Sequence, residues 1–127
     1  MHKSKIVAAV IDCETDDLTE AARFWSAAIG REVKEQETGD NPKYAVLGDG
    51  KEGLILLLQK VSHPSRVHLD IESDDIEAEV KRLEALGAKR VEKVKTWWVL
   101  EAPTGHRFCV VVPQRDGTMP DDANQWP

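Results

Sequence analysis

Ile11-Asp12-Cys13-Glu14-Thr15-Asp16-Asp17-Leu18 returns 58 residues later as Leu69-Asp70-Ile71-Glu72-Ser73-Asp74-Asp75-Ile76. Four of the eight pairs are identical: Asp12/Asp70, Glu14/Glu72, Asp16/Asp74 and Asp17/Asp75. The other four match in size or polarity. Each copy ends on an Asp-Asp pair, suited to capping free backbone N–H groups and to the positive end of a helix. Helical spacing follows both times. Leu18, Ala22, Trp25 and Ile29 sit at i, i+4, i+7 and i+11, and Ile76, Val80, Leu83 and Gly87 repeat that spacing with Leu86 beside them. Each run reads as an amphipathic helix with one buried stripe, closed by a glycine, Gly30 or Gly87. The stripe assigns Phe24-Trp25 to the core.

Three short strand candidates follow each helix. In the first half they are Glu32–Glu35, Tyr44–Leu47 and Leu54–Lys60, and in the second Arg90–Val94, Thr96–Ala102 and Arg107–Pro113. Turn residues separate them, among them Thr38 to Pro42, Gly48-Asp49-Gly50 and Ala102 to Gly105. The order is therefore strand, helix, three strands, written twice. It predicts an α+β fold in which two tandem βαβββ modules form a half-open, curved, eight-stranded barrel-like sheet with helices outside. A concave sheet face is a natural place for a ligand. We expect one domain over residues 1–127: module one about 5–61, module two about 66–113, and an irregular tail over 114–127 that Trp126 pins down. The modules join near Ser62-His63-Pro64-Ser65. Neither half buries much core alone.

Composition narrows the function classes. The chain has 127 residues, 41% apolar and 31% charged, the balance of a globular protein. No apolar run approaches the ~20 residues of a membrane span. The net charge of −6 argues against nucleic acid and anionic membranes as partners. Two cysteines make no disulfide scaffold, which suggests a reducing, cytoplasmic setting.

Several stretches together resemble the vicinal oxygen chelate superfamily, which includes glyoxalases, bleomycin-resistance proteins and extradiol dioxygenases, and within it the glyoxalase-like proteins common in bacteria. They are Val10 to Cys13, Ala22 to Trp25 with Ile29-Gly30, Arg66 to Ile71, Glu79 to Ala88, and Ala102 to Cys109. The resemblance covers about residues 5 to 113. It implies a homodimer, and in metal-dependent members it implies four ligands on the first and last strands of each half. Carried over, those positions fall on Val10, on His68, on the run Leu54–Gln59 where Gln59 alone can ligate, and on Cys109 in place of a glutamate. Valine has no lone pair, and His68, Gln59 and Cys109 lack a carboxylate, a poor set for a hard cation. We therefore expect no cofactor. A divalent metal (Zn, Ni, Mn or Fe) on His68, Gln59 and Cys109 is the alternative.

Strand alternation places Arg66, His68 and Asp70 on one face, and the repeat places Ala8, Val10 and Asp12 on the matching face. His68 between an arginine and an aspartate can bind or protonate a ligand, and it is the candidate catalytic residue. Asp12 and Asp70, being identical in both halves, read as braces of the strand ends. Trp97 and Trp98 point to opposite faces, so one lines the pocket and the other packs under a helix or at a subunit contact. His106 and Arg107, on a turn entering the last strand, can hold an anion. With Val10, Gln59 and Cys109 these residues complete the expected ligand-binding set. The expected function is binding of an apolar or aromatic metabolite or drug, with or without an anionic group, in the concave sheet. The alternatives are a metal-dependent lyase or dioxygenase with an altered ligand set, and a non-catalytic resistance protein that sequesters a toxic compound.

Overall fold

The computed structural model describes residues 1–48, 53–114 and 117–127. Asp49 and Gly50 of one predicted turn lie outside the described residues. The elements run β1 (His2–Glu14), α1 (Leu18–Ile29), β2 (Val33–Gln36), β3 (Tyr44–Leu47), β4 (Ile55–Val61), β5 (Arg66–Ser73), α2 (Ile76–Ala85), β6 (Lys89–Val94), β7 (Trp97–Glu101), β8 (Arg107–Val111) and β9 (Asn124–Trp126). Two helices and strands in mixed parallel and antiparallel pairing make the fold α+β.

The chain forms two compact units, Ala8–His68 and Met1–Val7 with Leu69–Pro127. The divisions fall inside β1 and β5, not in the predicted joint at Ser62–Ser65. In the first unit the strand order is β2-β3-β4-β1. β1 pairs parallel with β4, setting Val10 opposite Leu57 and Asp12 opposite Gln59. β3 pairs antiparallel with β4, setting Tyr44 opposite Gln59 and Val46 opposite Leu57. One sheet face turns Cys13, Ala45, Leu47 and Leu58 against Leu18 and Ala22 of α1, with Trp25 packed on the edge of the cluster. Burying Leu18, Leu47 and Leu58 stabilises the unit by about 1.5–3 kcal/mol each. Asp17 caps α1 by accepting from the Glu20 N–H at 3.3 Å, and Gly30 closes it at φ 81°.

The second unit repeats this logic in the order β5-β8-β7-β6. β5 pairs parallel with β8, setting Asp70 opposite Cys109, and β7 pairs antiparallel with β8, setting Val99 opposite Cys109. Val80, Leu100 and Val110 form its core, with Ile76, Leu83, Trp98 and Phe108 packed against them. Asp75 caps α2 through the Ala78 N–H at 3.1 Å. The end of α2 is a Schellman motif: Ala88 N–H donates to the Leu83 carbonyl and Gly87 N–H to that of Glu84, both at 3.0 Å.

Three expectations are corrected. The strands number nine among the described residues, because the tail is not irregular throughout: Asn124–Trp126 pairs antiparallel with His2–Ser4. β1 starts at His2, since His2 and Ser4 are buried despite their polarity. Phe24 is not core. It leaves the α1 stripe, stands 62% exposed and meets Trp25 edge to face.

Candidate functional site

The face of the first unit away from α1 carries the candidate site. Because Cys13 turns toward the helix, the even residues of β1 turn the other way, and the parallel register brings Gln59 and Leu57 of β4 beside them. One cross-strand row reads Tyr44–Gln59–Asp12 and the next Val46–Leu57–Val10. Facing residues in such rows have Cβ atoms about 4.5–5.5 Å apart. A polar row thus runs beside an apolar one.

Asp12 is the centre of the polar row. It is 2% exposed, and it lies within β1 rather than bracing a strand end. Its Oδ2 holds the Nδ1 of His68 at 2.7 Å, and the Nε of Arg66 stands 3.8 Å from the same oxygen. Its Oδ1 is buried with no hydrogen-bond partner among the described residues. As a carboxylate, Asp12 accepts from Nδ1–H, which fixes the ring's orientation. The Arg66 guanidinium offsets part of the Asp12 charge. The same carboxylate adds to the effect of burial, which pushes the Cys13 thiol above its ordinary range.

The remaining candidates divide by side of the sheet. In the second unit Trp98 packs on the α2 core and lies under the Arg90 guanidinium, 4.9 Å from the ring centre. That placement puts Trp98 on the helix side of its own unit's sheet. Trp97 precedes it on β7 and points to the opposite side. Cys109 is buried, opposite Asp70. Arg107 pairs with Glu101 at 3.6 Å, which offsets the charge an anion would need. His106 is exposed on its turn, its Nδ1 2.7 Å from the Thr104 hydroxyl. Val10 is 1% exposed in the apolar row, and Gln59 is half-buried beside Asp12.

The register tests the four ligand positions implied by the resemblance. Asp12 lies opposite Gln59 as Asp70 lies opposite Cys109, so Gln59 and Cys109 are equivalent positions of the two halves. The four positions therefore hold Val10, Gln59, His68 and Cys109. A buried valine supplies no donor, so the Val10 position offers no ligand atom. Sequence reasoning missed two groups: Asp12 as the partner of His68, and Tyr44 at the end of the polar row. The second was readable, since Tyr44 aligns with Gln59 as soon as β3 and β4 form a hairpin.

A glyoxalase-like domain model matches residues 8–111. The chain belongs to that family. No curated protein matches it. Among solved structures, methylmalonyl-CoA epimerase from Mycobacterium tuberculosis is similar, with a TM-score of 0.63 and 15% identity over 87% of this chain and 89% of that one. A Streptomyces coelicolor methylmalonyl-CoA epimerase in complex with 2-nitronate-propionyl-CoA has a TM-score of 0.61 and 18% identity, covering 91% and 98%. A glyoxalase/bleomycin resistance protein/dioxygenase superfamily member from Vibrio splendidus has a TM-score of 0.52 and 19% identity, covering 84% and 98%. These likenesses carry the fold. No helix among the described residues is long and apolar enough to cross a membrane.

Proposed function

We propose that this glyoxalase-like protein binds an apolar or aromatic small molecule bearing an anionic or hydrogen-bonding group, without the metal of its metal-dependent relatives. The observation that carries the reading is the 2.7 Å hydrogen bond from buried Asp12 to His68. A buried carboxylate beside a histidine orients the ring for one task. Nε2 and the Arg66 guanidinium meet the polar group of the ligand, and Leu57, Val46 and Tyr44 take its apolar part. Where chemistry follows, His68 moves a proton at Nε2 and Asp12 stabilises the charged ring.

A second reading is a metal-dependent enzyme with an altered ligand set. Asp70 favours it, because it brings a carboxylate opposite the Cys109 thiol.

Metal content of the purified protein, with a ligand screen by tryptophan fluorescence, separates the two. The first reading expects less than a tenth of an equivalent of metal. It also expects a ligand whose affinity falls in His68→Ala and Leu57→Ala. Near-stoichiometric metal that disappears in Cys109→Ala or Asp70→Asn would replace the first reading with the second.

A further inference from the structure

The second unit contains a buried charge cluster far richer than a helix of ten residues requires. Glu79 of α2 is 0% exposed. Arg82, one turn on, grips it with a two-pronged fork: Nε to Oε1 at 2.8 Å and Nη2 to Oε2 at 2.9 Å. The Nε2 of His2, itself buried, lies 2.7 Å from the same Oε1. The outer face of the Arg82 guanidinium lies over the Trp126 ring, 3.8 Å from its centre. The Trp126 indole N–H donates to the Ser4 hydroxyl at 2.8 Å. Residues 122–126 are also tied by the three-residue pairing of β9 with β1 and by an ion pair of Lys5 with Asp122 at 2.6 Å.

These ties differ in strength. A pairing three residues long is marginal by itself. The Asp122 side chain is 71% exposed, and pairs so exposed add little. The stacked guanidinium is the strong tie, and it works only while its plane is fixed. Glu79 fixes it: the fork uses the in-plane donors and leaves the face for the indole.

We propose that residues 122–127 form a detachable strap whose closure is held by Glu79, acting through Arg82 on Trp126. With the strap lifted, the backbone of His2–Ser4 becomes an unpaired strand edge, a place where a further strand adds. Closure of the strap is thus the device that keeps this edge covered, and Glu79 is its positioning residue.

NMR backbone order parameters of the full chain test this. In the wild type, Asn124, Gln125 and Trp126 should sit near the rigid value of about 0.85 with Leu100 and Val110. In Glu79→Gln the three β9 residues should fall below about 0.6 while Leu100 and Val110 stay rigid, and the Trp126 indole signal should move to its solvent-exposed position. Lys5→Ala should leave the strap ordered. An ordered strap in folded Glu79→Gln overturns the proposal. If that variant does not fold, Arg82→Gln is read in the same way, and an ordered β9 there overturns it as well.

Discussion

Asp12 and His68, 56 residues apart in sequence, meet through a 2.7 Å hydrogen bond between Oδ2 and Nδ1. The carboxylate accepts, so the neutral ring must carry its proton on Nδ1. In Asp12→Asn the amide can turn its NH2 toward the ring, and the favoured tautomer becomes Nε2–H. Imidazole ¹⁵N shifts of the ligand-free protein should show that exchange of tautomer. The affinity for any ligand that His68 contacts should fall about tenfold or more, the worth of a hydrogen bond to a charged group. Unchanged shifts would mean that Asp12 does not orient His68.

Core and surface apolar residues should respond very differently to truncation. Leu58 is fully buried between β4 and α1, whereas Phe24 on the same helix layer is largely exposed. Leu58→Ala removes buried methyl groups and leaves a cavity, at a cost of about 2–5 kcal/mol. Phe24→Ala should cost less than about 1 kcal/mol, only its edge contact with Trp25 being lost. Urea unfolding midpoints decide it, and equal losses would place Phe24 in the core after all.

Much of the fold was legible because the repeat writes the same physics twice. The two Asp-Asp pairs became two N-caps at Asp17 and Asp75, and subtraction by 58 matched Asp12 to Asp70 in equivalent registers. What was illegible depended on contacts across the sequence. His2, Ser4 and Glu79 are polar, so nothing local marks them as buried. Their burial follows from a network that closes only when Arg82 and Trp126 arrive. The run Leu54–Leu58 hid which side chains face the helix. The register resolved it by pairing Leu58 with Ala45 and Leu57 with Val46.

The two closing glycines should tolerate change unequally. Gly30, at φ 81° and ψ 29°, has nothing within 4 Å of an added Cβ. Asparagine adopts that region readily, so Gly30→Asn should cost less than about 1 kcal/mol. Gly87, at φ 110°, would place a Cβ 3.1 Å from the Pro103 side chain. Gly87→Ala therefore combines backbone strain with a tight contact and should cost about 1–3 kcal/mol. Melting temperatures of the two variants should separate by several degrees, with Gly87→Ala the lower.

Acid should weaken the second unit through Glu79. Burial alone would push its carboxyl up, but the Arg82 fork, with His2 and Ser4, outweighs burial and holds it below the ordinary range. A folded-state value below the unfolded one contributes stability that is present above the unfolded value of about 4.3 and is lost as pH falls through the folded value. The unfolding free energy of wild type should therefore exceed that of Glu79→Gln by about 3 kcal/mol at pH 7, the scale of a broken buried ion pair. The excess should persist at pH 5 and shrink by pH 3. Denaturant titrations at the three pH values measure it. A gap that grows on acidification would reverse the sign and show that Glu79 is protonated in the folded protein.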